Sequence, residues 1–162
     1  MSLIGRPAQT DGPRGEEGWR IETLRVSILR ERSPLSYALA APIDAARTGR
    51  ELVSEDLDRE VCGILLVNTR NRVTAMHIVS VGTLNGAYVH PREVFKAAIL
   101  GTAAAIILFH NHPSGDPDAS REDRELTRRL TDAGRILGID VLDDVILGES
   151  GSYYSFKERG LI

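Results

Sequence analysis

The sequence predicts a mixed α/β fold (α/β or α+β), a mixed sheet flanked by helices, and three observations carry that prediction. Two β-branched runs, "EVCGILLVN" (60–68) and "RVTAMHIVSVG" (72–82), are separated only by "TRN", which is the pattern of a hairpin. A short continuous apolar run, "AAAIILFH" (103–110), reads as a strand buried on both faces. The stretch "SREDRELTRRLTDAGRILG" (120–138) has helical periodicity. It places Leu126, Leu130, Ala133 and Leu137 on one face, and Gly138 closes it.

The other elements follow in chain order. Residues 1–18 are rich in Gly, Pro, Arg and Glu with little to bury, and read as a flexible arm. Residues 19–162 read as a single domain, long enough for one real core. "RIETLRVSIL" (20–29) alternates as a strand with Ile21, Leu24, Val26 and Ile28 for burial. "APIDAARTGREL" (41–52) reads as a helix opening near Pro42 and Asp44. "GTLNGA" (82–87) is loop. "HPREVFKAAILG" (90–101) is a helix with Pro91 at its start and Gly101 at its end, the usual asymmetry. "IDVLDDVILG" (139–148) and "SYYSF" (152–156) are the final strands.

Composition narrows the function classes. A hydrophobic share of 42% and a charged share of 27% describe an ordinary soluble globular mix. A net charge of −3 argues against broad capture of nucleic acid, which needs a basic surface. Cys62 stands alone, so neither an internal disulfide nor a cysteine-based zinc knuckle can form, and a reducing, cytoplasmic setting is expected. The longest apolar stretch, residues 97–109, is broken by Gly101 and Thr102 and falls short of the roughly 20 residues a membrane span needs. The first residues have no apolar core of a secretory signal, and no membrane association is expected.

The chemistry concentrates at "FHNHPSGDPDAS" (109–120). In extended chain, residues i and i+2 point the same way, so His110 and His112 can converge on one point. Neutral imidazole is a good zinc ligand, and an open catalytic site needs a third protein ligand. Asp116, Asp118 and Asp123 are the candidates. The first two sit in a turn where Asp is common for conformational reasons. Asp123 sits in the first turn of a helix. Ser120-x-x-Asp123 also resembles a capping box, so a purely local role competes for both residues. A metal-activated water wants a carboxylate to take and return its proton. Glu60 at the head of its strand is one such group, while Glu55 and Asp58 are equally available.

Taken together, Glu60-x-x-Gly63 on a strand, His110-x-His112-Pro113, and Ser120-x-x-Asp123 six residues later resemble the JAMM motif of the MPN/JAB metalloproteases. "GTLNGAYVHPREVFKAAI", "HNHPSGDPDASREDRELT" and "YYSFKERGLI" are similar to segments of the RadC-like branch, and the likeness covers residues 20–162. That resemblance implies an MPN/JAB mixed sheet with cytidine-deaminase-like layering. It implies a zinc ion on His110, His112 and Asp123, Glu60 as general base and acid, and Ser120 at the oxyanion or the water. His90 in "VHPRE" would lie near the cleft, unless it serves only as a helix-terminal hydrogen-bonding residue. Where the family usually reads Asp-His, this chain has Asp143-Asp144, which puts Asp144 near the cleft in place of a histidine. Longer members carry an N-terminal helical domain resembling DNA-binding modules, which residues 1–18 do not supply.

The expected activity is hydrolysis of a peptide or isopeptide bond in a peptide or protein-conjugate substrate. Two alternatives stand beside it. One is a DNA-associated factor or metal-dependent nuclease, disfavoured by charge and by 5% aromatic residues. The other is a non-catalytic scaffold or homodimerisation module, which would have no need of an intact ligand set. A zinc deaminase is excluded, because its Pro-Cys-x-x-Cys motif needs two cysteines. Among bystanders, Arg121, Arg124 and Arg128 read as a solvated, salt-bridged face, Cys62 as core, and His77 as a surface or half-buried strand residue.

Overall fold

The computed structural model describes residues 38–51, 53, 59–82 and 89–162. The expected arm (1–18), the expected strand at 20–29 and most of the loop at 82–87 lie outside these residues. Three helices and five strands are described: α1 (Pro42–Arg50), β1 (Val61–Val67), β2 (Val73–Val81), α2 (Pro91–Leu100), β3 (Ala105–Asn111), α3 (Arg121–Leu137), β4 (Asp140–Leu147) and β5 (Tyr153–Ser155).

The strands form one mixed sheet in the order β2-β1-β3-β4-β5. β1 pairs antiparallel with β2 and with β3, β3 runs parallel to β4, and β5 returns antiparallel to β4. The β1–β2 hairpin closes on Asn68, whose side-chain oxygen accepts the Arg70 and Arg72 N–H groups at 2.9 and 3.1 Å. Asn71 supplies the left-handed residue of the turn (φ 53°), a conformation Asn tolerates. The parallel β3–β4 pair needs a crossover, and α3 provides it.

β1 and β3 are buried along their whole lengths because helices cover both faces. On one face α1 packs over Val61, Leu65, Val67, Ile107, Phe109, Val145 and Leu147. On the other, α2 and α3 cover Ile64, Leu66, Ile106, Leu108 and Val141. Gly63 is explained by this packing, since a Cβ there would run into the Phe109 ring.

One expectation is corrected. The face α3 buries is Asp123, Thr127, Leu130 and Gly134, with Leu126 and Ala133 at its margin, while Leu137 is 48% exposed. Two contacts set this rotation. Gly134 sits where a Cβ would meet the Ile139 carbonyl oxygen, and Thr127 hydrogen-bonds to Asp144 of β4 at 2.7 Å. Gly138 ends the helix in the left-handed conformation (φ 70°), as expected. Arg121 pairs with Glu125 at 2.9 Å on the solvent face. No helix among the described residues is long and apolar enough to cross a membrane.

Candidate metal centre

β3 ends in the core, so His110 is buried while His112, two residues on, stands at the rim. Their ring centroids are 5.2 Å apart. The loop that follows is held in place locally. Gly115 donates its N–H to the His112 carbonyl at 2.9 Å, and its positive φ (76°) admits only glycine comfortably. Asp116 accepts the Asp118 N–H on its own carboxylate at 3.0 Å, the turn role that Asp commonly plays. Neither the Asp116 nor the Asp118 carboxylate joins the histidines as a ligand atom.

Asp123 does. Among the described residues, His110, His112 and Asp123 form the group whose ligand atoms all lie within 4.8 Å of one another. His110 Nε2 is 3.4 Å from Asp123 Oδ1, and His112 Nε2 is 3.4 Å from Asp123 Oδ2. The capping box forms, and the same carboxylate lies beside both histidines. Ser120 Oγ accepts the Asp123 N–H at 3.1 Å, and Asp123 Oδ2 accepts the Ser120 N–H at 2.8 Å and its hydroxyl at 2.6 Å. The reciprocal cap locks the carboxylate to the first turn of α3.

The outward ring nitrogens are also engaged. His112 Nδ1 lies 2.8 Å from the Asp116 carbonyl oxygen, which can only accept. His110 Nδ1 faces Asp144 Oδ1 at 3.4 Å, and Thr127 Oγ1 is 2.7 Å from Asp144 Oδ2 and 2.7 Å from the Asp123 carbonyl. In the neutral rings that a metal ion requires, protons on both Nδ1 atoms leave the two Nε2 lone pairs facing inward on the Asp123 side. Among the described residues, His110 Nε2 and the Asp144 Oδ1 behind the same ring are buried without a hydrogen-bond partner, and for Nε2 this is the condition expected of a ligand atom rather than of a packed core histidine. The donor set of two imidazoles and one carboxylate suits a zinc-like divalent ion with an open position.

Charge is concentrated to match. Burial alone would push His110 down, but Asp123 and Asp144 together hold it up to about 10. His112 is raised by Asp123. Desolvation would raise Asp123, yet the two histidines and Ser120 pull it well below the usual carboxylate range. A cation entering this group replaces protons.

The remaining sequence candidates fall around this centre. Asp144 is buried at 1% exposure and stands behind His110, inside the core rather than on an open wall. Glu60 precedes β1 and is outside the ligand group. Its carboxylate is one of the charges, after burial and Asp144 and ahead of Asp123, that push the Cys62 thiol up. Cys62 pairs in register with His110, so Glu60 belongs to the same neighbourhood. His90 is exposed at the N-terminus of α2 and accepts the Arg92 N–H on Nδ1 at 3.2 Å. His77 is exposed on β2 and Cys62 is buried. Sequence reasoning passed over Thr127 and Asn111. Thr127 lies one helical turn after Asp123, a spacing that could have flagged it. Asn111 was hidden by its position between two more conspicuous residues.

Residues 40–161 match the RadC-like JAB domain family. The chain is 58% identical over 107 residues to a UPF0758 protein of Desulforamulus reducens, covering 66% of this chain and 47% of that one. It is 47% identical over 138 residues to a UPF0758 protein of Rubrobacter xylanophilus, covering 85% and 59%. The chain therefore spans about half the length of the curated relatives it matches. With that match running through both histidines at the end of β3 and the helix that carries Asp123, the chain belongs to the RadC-like JAB domain family.

Proposed function

We propose that this chain is a zinc-dependent hydrolase of amide bonds, acting on a peptide or isopeptide linkage. The observation that supports it most directly is the inward turn of His110 Nε2, His112 Nε2 and the Asp123 carboxylate, each held from behind by a hydrogen-bonding or charged partner. These three residues would hold the ion. Bound there, it supplies Lewis acidity toward a carbonyl and a water molecule.

The chain's own groups would do the rest. Glu60, in the same neighbourhood but outside the ligand set, would take the proton of the attacking water and deliver it to the departing amine. Ser120 gives its hydroxyl proton to Asp123 and would turn it toward the oxygen that gains charge. The buried Cys62 takes no part and fits a reducing, cytoplasmic setting.

The test combines metal analysis with a substrate screen. Purified chain should carry close to one zinc per molecule. With zinc it should cleave members of a pool of internally quenched peptides and Lys-linked isopeptides, and a chelator should stop it. Glu60→Gln should retain zinc and lose at least about 100-fold in rate, the lower end of the usual range for a proton carrier. Chelator-sensitive cleavage of DNA with no cleavage of amides would replace this reading with the nuclease one.

A further inference from the structure

We propose that Asn111, the residue between the two histidines, is a positioning residue that fixes Glu60 against the metal centre. The inference rests on the reading of Glu60 as the proton carrier. The β1–β3 ladder ends at the Cys62–His110 pair, and beyond it the chain turns away into the 112–118 loop. The Asn111 side chain supplies the next rung. Its Oδ1 accepts the Val61 N–H at 2.8 Å, and its Nδ2 donates to the Arg59 carbonyl at 3.1 Å. An N–H can only donate and a carbonyl can only accept, so these partners fix the orientation of the amide.

The two gripped peptide groups lie on either side of Glu60. Glu60's own carbonyl, in the same peptide group as the Val61 N–H, accepts the Gly82 N–H at 2.8 Å, so the peptide after Glu60 is held from both edges. Alternation places Asn111 on the α1 face with Phe109, and Glu60 on the other face with Cys62 and His110. Asn111 therefore holds Glu60 from behind, with its own side chain outside the site. Asn111 extends the joining of the backbone that carries both histidines to the backbone of the proton carrier one rung past the end of the β1–β3 ladder, where Glu60 sits. Asparagine suits the task because it has a donor and an acceptor on one short planar group. Aspartate lacks the donor, and glutamine is one methylene too long.

The experiment uses the full chain, labelled with [13C]glutamate and loaded with Co2+, whose unpaired electrons displace NMR signals of nearby groups. In the parent protein, a displaced side-chain signal should vanish in Glu60→Gln, which assigns it to Glu60. Asn111→Ala and the near-isosteric Asn111→Asp should each reduce that displacement by at least half. Both variants should still bind one Co2+ with unchanged His110 and His112 ring signals. An unaltered Glu60 signal in both variants overturns the positioning role and leaves the Glu60 reading intact. Absence of any displaced Glu60 signal in the parent removes Glu60 from the centre and takes this inference with it. Loss of fold or of Co2+ binding in both variants makes Asn111 structural and also overturns the proposal.

Discussion

At the scale of single residues, the centre depends on what stands behind each ligand. His110 has Asp144 at its back, and Asp144 in turn has Thr127. Removing such an outer partner typically costs 10–100-fold in metal affinity. Asp144→Ala should lower zinc affinity by about that factor in a competition titration with a chromogenic chelator. Asp144→Asn keeps an oxygen for His110 Nδ1 and should recover part of the loss. An affinity equal to the parent's in Asp144→Ala would mean that packing alone orients His110. Gly63 carries a steric prediction. Gly63→Ala forces Phe109 off its place and should cost roughly 1–3 kcal/mol in urea unfolding, the usual range for overpacking a core.

At the scale of elements, α3 is the part that joins fold to chemistry. Its N-terminal turn carries Ser120 and Asp123, and its middle carries Thr127 and Leu130 against the sheet. Ser120→Ala removes the cap and should cost about 0.5–2 kcal/mol. Because the same hydroxyl and amide hold the Asp123 carboxylate, the variant should also bind zinc more weakly, which a plain helix cap would not cause. The buried face is tested by a contrast. Leu130→Ala should cost roughly 2–5 kcal/mol, whereas Leu137→Ala, at an exposed position, should fall within about 0.5 kcal/mol of the parent. Equal costs at the two positions would mean the helix is rotated from the face described above.

At the scale of the whole molecule, the buried charges couple folding to pH and to metal. In the metal-free chain His110 is held up to about 10 against an ordinary value of 6.5, and His112 is raised as well. The folded state thus keeps protons that the unfolded chain has released. The stability from these histidines is complete below about pH 6.5 and is lost as pH rises toward 10. Asp123 has the opposite sign: its contribution is present above the ordinary carboxylate range and is lost as pH falls through and below it. A zinc ion needs these groups without protons, so the loaded chain gains where the metal-free chain weakens. Calorimetry should show the difference in Tm between zinc-loaded and chelator-treated protein growing from pH 6 to pH 9. A constant or shrinking gap would place the ion elsewhere.

The sequence by itself determined what is local. The hairpin, the α2 and α3 boundaries and the two-histidine strand end follow from alternation, β-branching, Pro91, Gly101 and Gly138. These signals act over a few residues and do not wait for the fold. The His110, His112 and Asp123 cluster was legible through its resemblance to a known motif, because ligand chemistry restricts which residue types can serve. Tertiary structure decided which faces meet. The burial of Thr127 over Leu137, the placement of Asp144 behind His110 and the grip of Asn111 on the backbone around Glu60 all depend on how α3 and β1 settle against β3 and β4. Those contacts join residues 17 and about 50 positions apart, at separations that no local pattern encodes.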